Sequence, residues 1–452
     1  MQQQVFRPLA QRGRILTIDI LRGIALLGIL IVNIPYFGIP DYFQWSFNQD
    51  PSGLNYWLMM VLNIIFEGKM KAMLSIIFGA CILLFIFGKE KKGQTASPLF
   101  YRRMFCLTLS GLAGACLFLW KGDILYFYGV IGIMAYFFRH LPKRYLLLVI
   151  PVVALFALFN NLYANYGLHK SRLAYNAVIA KERKHSPLTR EDMAHKAAYI
   201  NAEKMYLPVL KDNISYIGRP EIGQYQAKSL LISIGDHLGL MLLGMALFKS
   251  AFLTGKRSKK LYLNIATIGY VIGIPLSAYS YLYGLQKYYS REAVIRFVEI
   301  RWFDLTSAAY EIQRIALVLA HISVLILLIR SGFMKRLMDK LCALGQMTLT
   351  NYTLQTLICA LLFSHYGFGL SGQLNYAELF YIVAGVWALQ LYLSPLWLRY
   401  YNFGPLEWAW RCLTYCRLLP LKKLEEQVLV IIPGEPIETK EQEGHEKGLT
   451  HF

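Results

Sequence analysis

Long apolar runs separated by short polar, mostly basic breaks dominate the chain. They fall near residues 16–38, 54–66 continuing into 70–87, 104–120, 124–138, 145–163, 227–248, 261–284, 307–329, 345–366 and 377–398. Most are long enough to cross a hydrocarbon core of about 30 Å at about 1.5 Å per helical residue. The pattern predicts an all-α, polytopic transmembrane bundle. Counting 54–87 as one element, bent or broken at "EGKMK", gives ten spans; the piece 54–66 alone is short and fits an interfacial or partial helix. A transmembrane barrel would need short strands of alternating polarity, and the sequence has none. The first run reads as a retained helix, because it carries charges and no small-residue cleavage site follows it.

Loop charge orients the spans. The segments "GKEKKGQTASPLFYRR", "RHLPKR", "KSAFLTGKRSKK" and "RSGFMKRLMDK" are rich in Lys and Arg, while residues 39–53 and 367–376 contain neither. A Lys and Arg excess marks the cytoplasmic side, so both termini are expected there. The basic loop 285–306, expected outside, runs against the trend. The domain reading is a cytoplasmic segment (1–15), spans one to five (16–163), an extracytoplasmic helical insert (164–226), spans six to ten (227–400), an interfacial helix (401–420) and a polar tail (421–452). Within the insert, "SPLTRED" predicts a helix start, with Thr189 as N-cap and Glu191 and Asp192 in the first turn. "PLEWAWRCLTYCR" reads as an interfacial anchor through Trp408 and Trp410.

Composition agrees with this frame. The chain has 452 residues, of which 56 % are apolar and 16 % charged, against about 25 % charged in soluble domains. Its net charge of +20 lies mostly in short loops, which points to anionic lipid headgroups and away from nucleic acid. The seven cysteines are scattered with no Cys-x-x-Cys pair, so neither a metal site nor a disulfide framework is expected.

Charge inside apolar runs is costly and draws attention to a few residues. Asp19 and Arg22 sit near the cytoplasmic end of the first run, as helical neighbours. An interfacial ion pair explains them; a grip on an anionic ligand such as a coenzyme diphosphate is the functional alternative, with Arg14 beside it. Asn33 lies in the outer half of that run, and Lys69 follows Glu67 at the bend. Asp123, in "KGDIL", fits a helix cap and an acid–base role equally well. Asp236 and His237 fall near mid-depth, Glu311 and Arg314 in the outer third of the eighth run, and Gln355 in the ninth. His321, alone on an apolar face, reads as a satisfied core histidine. Several ionisable groups at such depths imply a shared polar cavity, because lipid exposure costs about 2.5–3.5 kcal/mol each on insertion scales. The expectation is one outward-facing pocket lined by Asn33, Lys69, Asp123, Asp236, His237, Glu311, Arg314 and Gln355.

The motifs "IDILRGIALLGILIVNIPYFG", "GKMKAMLSIIFGA", "WKGDILYFYGVIGI", "LMLLGMALFKSAFL", "LGQMTLTNYTLQTLIC" and "WLRYYNFGPLEWAWRCLTY" occur in this order. They resemble the YeiB family (domain of unknown function 418) of bacterial multi-pass inner-membrane proteins. The resemblance spans about residues 14–418 without the insert, and puts the family pattern on Asp19, Arg22, Asn33, Lys69, Asp123, Tyr128, Asn351, Tyr352, Gln355 and Glu407, with glycines at 23, 79, 122, 129, 244 and 404 and Pro405. Asp236, His237 and His321 fall outside it. It implies residence in the bacterial inner membrane.

The first helix is also similar to that of transmembrane acyltransferases, which take acyl-coenzyme A on the cytoplasmic side and deliver the acyl group to an acceptor on the far side. Those enzymes use a histidine soon after the first-helix Asn; here "NIPYFGIPDYFQW" holds none, which leaves His237 or His365 to substitute. On that reading Arg14, Asp19 and Arg22 hold acyl-coenzyme A, and Asp123, His237 or Glu311 performs acid–base catalysis. A carrier using the same cavity, with Asn33, Lys69, Asp236, Arg314 and Gln355 binding a small solute or anion, is the alternative. A structural or regulatory membrane subunit is the third. Expected partners are the bilayer, a small-molecule substrate and a second copy of the chain.

Overall fold

The computed structural model describes residues 15–40, 50, 52–118, 124–206, 234–288, 296, 299–300, 305–364 and 366–423. Among them every long element is a helix. In chain order these are α1 (Leu16–Gly38), α2 (Leu54–Ile65), α3 (Lys69–Glu90), α4 (Ser97–Phe118), α5 (Ile124–Tyr136), α6 (Lys143–Arg183), α7 (Arg190–Tyr206) and α8 (Gly239–Lys249). They continue with α9 (Lys259–Tyr288), α10 (Leu305–Ser331), α11 (Lys335–Gln346), α12 (Thr348–Phe363), α13 (Leu379–Tyr400) and α14 (Pro405–Tyr415). A π-helical turn, Ile234–Leu238, leads into α8.

Among the described residues, five stretches are long and apolar enough to cross a membrane: Leu16–Gly38, Leu54–Glu90, Lys259–Leu285, Ala309–Ser331 and Leu379–Tyr400. The second is α2 and α3 together. The bend anticipated at "EGKMK" is a true break at Phe66–Gly68, where Gly68 takes a left-handed conformation (φ +72°) open to glycine at little cost. Its added Cβ would also collide with the Tyr310 hydroxyl, so this corner fits tightly against α10.

Packing runs through small residues, as expected where lipid gives helices no hydrophobic reason to associate and van der Waals contact must do so. Where α1 crosses α11, Gly23 lies against the Leu341 carbonyl and Gly345 against the Asp19 carbonyl. α14 is tied to α12 by Glu407, which accepts from the backbone N–H groups of Leu349 (2.6 Å) and Thr350 (3.1 Å) and from the Thr350 hydroxyl (2.5 Å). A carboxylate from a distant helix thus caps the α12 N-terminus, meeting donors its own turn leaves open.

Two features refine the expected domain boundaries. The fifth apolar run and the start of the insert are one 41-residue helix, α6, with no break at 163/164; at about 1.5 Å per residue it measures about 60 Å. Beyond it, α7 opens as "SPLTRED" predicts. The Asp192 N–H donates to Thr189 Oγ1 (3.2 Å), and the Asp192 carboxylate accepts in return from the Thr189 N–H (2.9 Å). Lys181 on α6 donates to the same carboxylate (2.8 Å), closing the α6–α7 hairpin.

Candidate functional site: the broken span

Interrupting a helix frees carbonyls at the end of its first half. In α2 the last three of these belong to Asn63, Ile64 and Ile65, and each is met by a side chain from a different helix. Lys69 Nζ, at the start of α3, donates to Asn63 O (3.2 Å) and to Ser277 Oγ (3.0 Å). Ser277, on α9, donates onward to Ile64 O (3.2 Å). His321, on α10, faces Ile65 O through Nε2 (3.0 Å) and the Tyr270 hydroxyl through Nδ1 (3.1 Å). Lys69 is 2 % exposed. A buried ammonium survives there because a helix C-terminus carries about half a negative charge, and two oxygens replace water as its partners.

The α10 face of the break adds an ion pair. Arg314, fully enclosed, donates to Glu311 Oε2 (2.5 Å), and its guanidinium lies 5.2 Å from the centre of the Tyr310 ring. From the other side a small cleft of about 20 Å³, room for about one water molecule, reaches Asn63 and Glu67, walled by Ile31, Val32, Pro35, Tyr36, Leu62 and Tyr376. Lys69, Arg314 and Glu311 therefore come together around one structural event, with Glu67, Ser277 and His321 joining them.

The expected single pocket does not hold for the rest. His237 is buried on the π-helical turn, with ring centres 5.5 Å from Tyr128 and 6.2 Å from Phe127. Tyr128 in turn bonds Ser75 (2.7 Å). Ser75 lies six residues beyond Lys69 on α3, about 240° around the helix, so His237 belongs to the opposite face. Gln355 enters an amide lock: its Nε2 donates to Gln390 Oε1 (2.9 Å), Gln390 donates to Asn351 O (2.8 Å), and Asn351 donates to Ser394 Oγ (2.9 Å). Those groups satisfy one another and join α12 to α13. Asn33 is half-buried on α1, and the cleft is walled by its neighbours Val32 and Pro35 rather than by Asn33.

Arg22 pairs with Asp19 (2.9 Å), donates to Gly345 O (3.1 Å) and approaches Cys81 Sγ (2.8 Å), so it ties α1 to α11 and α3. Asp123, Arg14 and His365 lie outside the described residues, as does the Asp236 side chain. Sequence reasoning passed over Ser277 and Tyr270 and set His321 aside. A lone hydroxyl or imidazole on an apolar helix carries no local signal of the carbonyl it meets.

Residues 247–417 match the family model described as "Protein of unknown function (DUF418)". The uncharacterized protein YxaH of Bacillus subtilis (strain 168) is 27 % identical over 428 residues, covering 92 % of this chain and 98 % of its own. The uncharacterized protein YeiB of Escherichia coli (strain K12) is 28 % identical over 422 residues, covering 89 % and 96 %. An uncharacterized 39.9 kDa protein in the amylase 3' region of Bacillus acidopullulyticus is 25 % identical over 420 residues, covering 92 % and 97 %. No solved structure matches. The match over residues 247–417 and these similarities along most of the chain are consistent with the YeiB/DUF418 family.

Proposed function

We propose that the chain is a membrane carrier for a small polar solute, with its central site at the α2–α3 break and Lys69 as the group that recognises an acidic moiety. The observation supporting this reading is the break itself. A membrane-length element is interrupted, its freed carbonyls are met by Lys69, Ser277 and His321, and a cleft leads to Glu67 beside them. Interrupted spans recur at the binding sites of secondary transporters, because the ends of half-helices offer dipoles and backbone groups to a solute. Ten spans in the bacterial inner membrane, with both termini cytoplasmic, belong to the same proposal and rest on the loop charges.

Acyl transfer from coenzyme A draws less support. Of the residues expected to hold the coenzyme, Arg22 and Asp19 are engaged with each other, and Arg22 also with Gly345 and Cys81. A purely structural role accounts for the amide lock but not for a cleft that reaches Glu67 beside the break. The test loads proteoliposomes with a bacterial metabolite extract and follows efflux by mass spectrometry. Wild type should release a defined set of acidic metabolites that Lys69→Gln retains. Equal profiles for the two proteins overturn the carrier reading. So does thermal stabilisation by acetyl-coenzyme A that disappears in Arg22→Ala, which would favour the acyltransferase.

A further inference from the structure

We propose that His321 is a proton-binding site whose occupancy unseats Lys69 from the end of α2. The inference deepens the carrier reading of the same site and rests on it for its purpose.

The argument starts from what His321 touches. Ile65 O can only accept, so Nε2 carries the ring proton in the neutral form, and Nδ1 accepts from the Tyr270 hydroxyl. A second proton has one place to go, Nδ1. The partner there is a hydroxyl, which can reverse from donor to acceptor by turning about its C–O bond. Both charge states therefore fit the same heavy-atom positions. Leucine or glutamine in this position would bind no proton, and an imidazole held by two carbonyls would be locked in its charged form.

The consequence follows from the neighbouring carbonyl. A helix end carries about half a negative charge, enough to favour one full cation. Lys69 already holds Asn63 O, two residues from Ile65 O. Protonating His321 puts a second cation on the same helix end, and the two like charges repel in a water-poor setting. Lys69 is the mobile one, because four rotatable bonds separate its charge from the backbone. It turns from Asn63 and Ser277 toward Glu67 and the cleft, where it meets an acidic solute.

The surrounding charges support this competition. Around His321, α10 itself contributes Glu311 and Arg314 two or more turns away, already joined to each other. The α2–α3 break contributes Glu67 and Lys69, and α9 contributes the Tyr270 and Ser277 hydroxyls. Elsewhere α9 between Lys260 and Lys287, α1 beyond Arg22, α3 between Lys71 and Lys89, and α6 between Arg144 and His169 hold no Asp, Glu, Lys, Arg or His. The added proton thus has Lys69 as its nearest mobile counterpart. Proton entry and solute binding are coupled through a single lysine.

Hydrogen–deuterium exchange in lipid nanodiscs tests this without knowledge of the solute. After correction for intrinsic rates, the peptide covering residues 60–70 should exchange about tenfold faster at about pH 5.5 than at about pH 8, as the end of α2 loses its lysine. His321→Gln, which still donates to Ile65 O, should remove the pH step, and so should Lys69→Gln. Tyr270→Phe should move the midpoint to lower pH, because the charged ring then lacks its acceptor. A flat wild-type profile, a step that persists in His321→Gln, or an unmoved midpoint in Tyr270→Phe each overturns the proposal. If His321→Gln fails to fold, the Tyr270→Phe midpoint still decides. Absent efflux with the exchange step intact removes the carrier reading alone, whereas a flat profile with normal efflux removes the proton site alone.

Discussion

Lys69 Nζ donates across the helix break to the backbone oxygen of Asn63, six residues earlier, at 3.2 Å. The lysine thus caps the helix that precedes its own. In a membrane this has a direct energetic meaning, because a carbonyl freed by a break finds no water and costs several kcal/mol if left unmet.

Replacing Lys69 by Met keeps the volume and removes the donor. Asn63 O then loses its partner and Ser277 loses a donor. The expected loss is about 1–3 kcal/mol, read as a lower melting temperature in detergent together with abolished efflux. A variant that melts like wild type would show that the cap contributes nothing to the break.

Glycine contacts give a pair of opposite expectations. At Gly345 a new Cβ would collide with the Asp19 carbonyl where α11 crosses α1. Backbone cannot yield as a side-chain tip can, so Gly345→Ala should destabilise by about 1–3 kcal/mol or more. At Gly88, an exposed helical position of α3, nothing lies within 4 Å. There Gly88→Ala should stabilise by about 0.5–1 kcal/mol through a smaller loss of chain entropy. Thermal melting of both proteins checks the contrast.

Glu407 is 8 % exposed and accepts from three donors of α12. Glu407→Ala should strip the N-cap of α12 at about 1–2 kcal/mol, and Glu407→Gln, which keeps one acceptor, should cost less. Since α14 is held partly through this residue, limited proteolysis should cut near 405–415 faster in the alanine variant. Equal cutting rates would mean that other α14 contacts suffice.

The α6–α7 hairpin supplies a pH prediction. Lys181 and the Thr189 backbone and hydroxyl hold the Asp192 carboxyl at about 2, below its ordinary value of 3.8. A lowered folded-state pKa stabilises the ionised form. The contribution is therefore complete above about 3.8 and is lost as pH falls through about 2. Exchange of residues 186–200 should stay slow from neutral pH to about pH 4 and rise toward pH 2. Asp192→Asn should exchange fast already at neutral pH; protection equal to wild type would remove Asp192 from the hairpin's closure.

Local physics made part of this molecule readable. A helix needs only its own period and polarity, so the apolar runs, the break at "EGKMK" and the Thr189 cap follow from neighbouring residues. The membrane character follows from the same clustering of apolar residues. Tertiary structure decided what meets each polar group. Ser277 reaches Lys69 across 208 residues and His321 reaches Ile65 across 256. Such pairings depend on the rotation and depth at which helices pack, and a single hydroxyl or imidazole on an apolar face does not encode either. For that reason Gln355 is a lock and not a wall of the cleft, Arg22 is a tie between helices, and His321 stands at the broken helix end. Sequence determined which groups had to be paired; packing alone determined with whom.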